Sequence, residues 1–136
     1  MSLILRDMIV KTMLQGRISV NSNGGCVYRS QCGNFKCAVG QVIPDDLYTP
    51  ELEEFTVEKL IQLGYINKKY GTVDTYTNKC MVDIQLSHDV LHHGNALVGF
   101  VHDFACRIAT RTNAGHLPSS CLDYIEEGYK AIQERS

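Results

Sequence analysis

Cys26, Cys32 and Cys37 lie within twelve residues of one another, and here residue type and spacing first suggest chemistry. Thiolates bind metals and act as nucleophiles. Three of them converging with a histidine would suit tetrahedral zinc, with bonds of about 2.0–2.3 Å. The gaps are five and four intervening residues, and no Cys-x-x-Cys occurs; the usual zinc knuckle leaves about two to four. The zinc set Cys26, Cys32 and Cys37 therefore ranks below a plainer reading, in which free cysteines pack as small hydrophobes.

Cys37 also reads as a nucleophile. Its thiol would need a base or a positive field to bring its pKa down from about 8.5. His88 followed by Asp89 offers a base and an orienter, and Arg29 and Lys36 offer positive charge. Cys37, His88 and Asp89 would then serve a cysteine-dependent hydrolase of acyl or amide bonds. Distance along the chain is uninformative here, because such triads are recognised by geometry. Arg29 and Lys36 fit solvated strand positions equally well. His88 and His92 stand four apart and share one face if residues 78–93 are helical. The glutamate of a His-Glu-x-x-His site is missing, so these histidines are expected on the polar outer or end face of that helix. Asp45 and Asp46 follow Pro44 and read as turn and cap residues.

Periodicity supplies the elements that would position these groups. Residues 3–15 read as a helix, with Leu5, Met8, Ile9, Thr12 and Met13 on one stripe and Gly16 as its stop. Two short apolar runs, 26–29 and 35–39, flank Gly33-Asn34 and read as a β-hairpin. Thr49-Pro50-Glu51 starts a helix that restarts at Thr56 and stops at Gly64. Residues 65–77 are polar and read as a loop with a short strand. Residues 78–93 and 96–110 are expected to be helical. The first has Met81, Ile84, Leu86, Val90 and Leu91 on its apolar side, and the second has Leu97, Phe100, Val101, Phe104 and Ile108. A last helix opens near Ser120, where Asp123 completes a capping box.

The whole is expected to be one α+β domain over residues 1–136, mainly helical, with a small β-hairpin near 26–39. The length of 136 residues suits a single domain, and 44% apolar with 21% charged residues suits a globular chain with its own core. A net charge of −2 without a basic run argues against a nucleic-acid footprint. No stretch approaches the roughly 18 apolar residues of a membrane span. The start lacks the basic and apolar parts of a signal peptide, so a cytosolic setting with reduced thiols is expected. Phosphate-binding glycine patterns are absent, and no cofactor is implied.

The runs Cys26-x-Tyr28-Arg29, Lys36-Cys37-Ala38-x-Gly40 and Ile43-Pro44-Asp45-Asp46-x-Tyr48 resemble a pattern in small accessory proteins encoded by tailed bacteriophages. Ile84-Gln85 with His88-Asp89 is similar to a further stretch of those proteins. The final helices match only in apolar pattern, and Cys32 is particular to this chain. The resemblance implies a protein acting in the cytoplasm of an infected bacterium, with the hairpin cysteines and the Ile-Pro-Asp corner in its packed centre. It implies no reaction. The leading expectation is a binding module that docks on a host or phage protein and modulates it, leaving a face for a partner or a second copy. The hydrolase is the alternative, and a zinc-stabilised domain comes third.

Overall fold

The computed structural model describes residues 3–16, 27–29, 35–89 and 97–135. Its helices are α1 (Leu3–Gln15), α2 (Val57–Gln62), α3 (Asn67–Tyr70), α4 (Thr75–Asp89), α5 (Leu97–Asn113) and α6 (Ser120–Arg135). Two 3-10 turns, Gly40–Val42 and Pro50–Glu54, lie between α1 and α2. The described residues contain no strand, so the fold is all-α, and the expected α+β class with a hairpin is corrected.

α1 is the central helix. It buries Ile4, Leu5, Met8, Ile9, Val10, Thr12 and Met13, which cover most of its circumference. A helix apolar on so many sides needs neighbours on each of them. α6 lies along it, α4 and α5 pack on it too, and the Gly40–Val42 turn covers another side. Its polar residues are tied down rather than left in water. The Arg6 guanidinium binds the Glu127 carboxylate of α6 through Nε at 3.0 Å and through a second nitrogen, and Tyr70 donates its hydroxyl to Asp7 at 2.6 Å.

Helix ends follow local chemistry. α2 is capped by Thr56, whose Oγ1 accepts the Lys59 N–H at 3.2 Å. Gly64 and Gly115 close α2 and α5 at φ 85° and 87°, a region that costs other residues strain. At each, the following residue's N–H reaches back five positions, Tyr65 to Leu60 at 3.1 Å and His116 to Arg111 at 2.9 Å. α4 starts earlier than the sequence suggests because Asp74 accepts the Thr77 N–H at 2.7 Å. That bond holds the Asp74 carboxyl below its usual range. Residues 67–70, expected as loop, form the short helix α3.

The expected hairpin reduces to one antiparallel bridge, Arg29 with Lys36, and a Cys37 N–H to Tyr28 carbonyl bond of 3.1 Å. Side chains take the remaining ladder positions. Glu53 accepts the N–H groups of Tyr28 and Arg29 at 2.7 and 3.1 Å. Gln15 binds both the N–H and the carbonyl of Lys36, at 2.8 and 2.7 Å. Gln85 of α4 accepts the Val39 N–H at 2.8 Å. Backbone groups satisfied in this way have no need of a strand partner. Past Val39 the chain coils into the 3-10 turn instead of extending.

Candidate functional site

The first place to look is around Cys37. Its side chain is 1% exposed, and the Gly40 N–H points at its sulfur across 3.3 Å. It borders a recess of about 370 Å³ with Tyr28, Glu53, Val82 and Gln85. Glu53 is the hub of this recess, because it also accepts the Tyr48 hydroxyl besides two backbone N–H groups. Arg29 and Lys36, the expected positive field for a thiolate, instead meet Asp45 at 2.7 and 3.3 Å. Those two partners, Lys36 foremost, pull the Asp45 carboxyl below its usual range. Arg29 further binds the Ile43 carbonyl at 2.7 Å and lies over the Tyr48 ring. Asp45 thus closes an ion-pair cluster, which is more than the turn role expected from sequence.

His88 sits in the last turn of α4, fully buried, with its ring edge-on to Phe100 at 6.1 Å between centroids. That corrects the expectation of an outer, polar position. The inward stripe of α4 runs through Cys80, Met81, Ile84, Gln85 and His88, whereas Leu86, expected inside, is 45% exposed. Asp89 ends α4, and its side chain lies outside the described residues, as do Cys26, Cys32 and His92. Among the described residues no group of three or more His, Cys, Asp or Glu is arranged to hold a metal ion.

A second, larger site lies at the other end of α1. Leu3 and Tyr76 are 66% and 55% exposed, and both line a cleft of about 610 Å³ between the start of α1, residues 69–77 and the start of α6. Tyr70, Val73, Pro118 and Tyr124 form its walls, and Lys69 and Asp74 stand on its rim with opposite charges. Three tyrosines present wide apolar rings with polar tips, the chemistry enriched in protein interfaces. The cleft brings together residues far apart in the chain. Sequence reading missed it because Leu3 and Tyr76 are single outliers on otherwise ordinary helices. No family model, curated protein or solved structure matches this chain.

The remaining described thiols divide sharply. Cys80 and Cys121 are 1% and 0% exposed, whereas Cys106 on α5 is open to solvent. Burial pushes the Cys80 thiol up, and burial with Cys80 alongside pushes Cys121 to about 12. Burial and the Glu53 carboxylate raise Tyr48 to about 12 as well. Both groups are favoured in their neutral forms by folding, so their contribution is complete below the unfolded values of 9.0 and 10.0. It is lost as pH rises towards about 12, because the unfolded chain gives up its protons first. The urea midpoint of the reduced protein should therefore fall steadily from pH 9 upward, and Tyr48→Phe should flatten the upper part of that fall. A midpoint constant between pH 9 and 11 would show that neither group is held neutral.

Proposed function

We propose that this chain is a binding module: a small accessory protein of a tailed bacteriophage that docks on a host or phage protein in the cytoplasm of an infected bacterium. The phage setting rests on the resemblance of the Cys26–Tyr48 run. The docking role rests on one observation, the exposure of Leu3 and Tyr76 at the mouth of a tyrosine-walled cleft. Large apolar groups gathered at a cleft and rimmed by polar ones mark places where a partner removes them from water. The occupant that fits is an apolar side chain from a protein segment. The mixed rim charges of Lys69 and Asp74 favour a polypeptide over a polyanion. No helix among the described residues is long and apolar enough to cross a membrane.

The test is capture from infected cells with the wild-type chain and with the Leu3→Ser/Tyr76→Ser double variant. A protein held by the first and lost by the second supports the reading. A partner held equally by both, or by neither, removes it.

The hydrolase reading through Cys37, His88 and Asp89 draws on the recess beside Cys37 and on the N–H aimed at its sulfur, since hydrogen bonds to sulfur favour a thiolate. Its 1% exposure opposes attack on any substrate larger than the recess. With iodoacetamide at pH 7.5, exposed Cys106 should be alkylated readily, and buried Cys37 at least about tenfold more slowly. A Cys37 faster than Cys106 would favour the hydrolase.

A further inference from the structure

The outer face of α5 carries a pair of ligating groups that neither reading uses. His102 and Cys106 are four residues apart on this helix, so their side chains share one side one turn apart. Both are exposed, and the His102 Nε2 lies 3.5 Å from the Cys106 sulfur. A tetrahedral zinc ion has Zn–S bonds of about 2.3 Å and Zn–N bonds of about 2.0–2.1 Å, which sets two such donors about 3.5 Å apart. The pair is already spaced as one edge of that tetrahedron. Sulfur with imidazole nitrogen selects a thiophilic ion over calcium or magnesium. Beside the sulfur opens a cavity of about 630 Å³, bordered by Asp103, Arg107, Thr110 and His116, so an ion and its other ligands have room.

One chain supplies only half of what the ion needs. No third His, Cys, Asp or Glu completes the set among the described residues. We propose that His102 and Cys106 are one half of a tetrahedral site for a divalent cation of the zinc class, the other half being the same pair on a second copy of this chain. A two-fold axis through the ion generates a two-cysteine, two-histidine set, neutral once each thiol has released its proton to solvent. Exposed Asp103 and Arg107 flank the pair with opposite charges, so the face has a charge complement in its own copy. The site shares no residue with the Leu3–Tyr76 cleft or with the set Cys26, Cys32 and Cys37, so its failure and theirs are separable.

The experiment uses the full reduced chain with zinc chloride or cobalt chloride, followed by sedimentation velocity and visible spectroscopy. The expected result is one ion per two chains, a dimer with metal and a monomer after EDTA. Cobalt should show the intense visible bands of tetrahedral coordination and a thiolate charge-transfer band. Cys106→Ser and His102→Ala should each abolish dimer and bands, and both positions are exposed, so the fold survives. His116→Ala should change neither. A monomer in the presence of metal, one ion per chain, a dimer indifferent to EDTA, or full binding by Cys106→Ser would each overturn the proposal. The last result would place the ion elsewhere, with the cysteines of residues 26–37 as the next candidates.

Discussion

Gly40→Ala should lower the stability of this protein by about 3 kcal/mol, a large loss for one added carbon. A Cβ at Gly40 would stand 2.0 Å from the Tyr28 carbonyl oxygen and 2.9 Å from its carbon. These are backbone atoms, so no side-chain rotation relieves the clash. Nor is the 27–29 backbone free to retreat. The Tyr28 carbonyl accepts the Cys37 N–H at 3.1 Å, the Tyr28 N–H is held by Glu53 at 2.7 Å, and the Tyr28 hydroxyl donates to the Phe55 carbonyl. Moving it breaks several hydrogen bonds, and keeping it leaves an overlap no van der Waals contact allows. Gly99→Ala is the control, because a Cβ there meets nothing within 4 Å and α5 gains an alanine in place of glycine. It should be neutral or stabilising by up to about 1 kcal/mol. Urea denaturation of both variants measures this, and a Gly40→Ala loss below about 0.5 kcal/mol would contradict the close approach of residues 28 and 40.

The Leu3→Ser/Tyr76→Ser double variant should bind its partner about a thousandfold more weakly while folding as the parent does. Stability should stay within about 0.5 kcal/mol, because both side chains are mostly in water in the free protein. Leu63, which is 50% exposed at the end of α2, serves as the comparison. Leu63→Ser removes a similar apolar surface outside the cleft and should leave the affinity unchanged. Equal losses from Leu63→Ser and from the double variant would mean that general surface hydrophobicity, not the cleft, holds the partner.

What the sequence revealed follows from where the deciding contacts lie. α1 was legible to its ends because its stripe and its Gly16 stop are local. The Thr56 cap and the Gly64 closure were local too. The hairpin misled because its two apolar runs are bound by Gln15, Glu53 and Gln85, residues that lie 21 to 46 positions away in the pairs concerned. Nothing in a window around residues 26–39 announces them. The phase of α4 failed for a related reason. Leu86 and His88 compete for the inside, and packing against Phe100 of α5 seats the histidine there. Cys37 was read as interior filling, and it is buried. The cleft could not be read at all, since Leu3, Tyr76 and Tyr124 meet only in the folded chain. By contrast, the His102–Cys106 spacing was visible on a helix the sequence already indicated, and only the 3.5 Å separation gives it meaning.

Photocrosslinking in infected cells tests the docking claim most directly. A photoreactive phenylalanine analogue would replace Tyr76 in one experiment and Glu134 in another. Glu134 lies at the far end of α6, about 15 Å along the helix from Tyr124 in the cleft wall. Docking through the cleft predicts a covalent adduct with a single protein from position 76 and none from position 134. No adduct at position 76, or the same set of adducts from both positions, would contradict it.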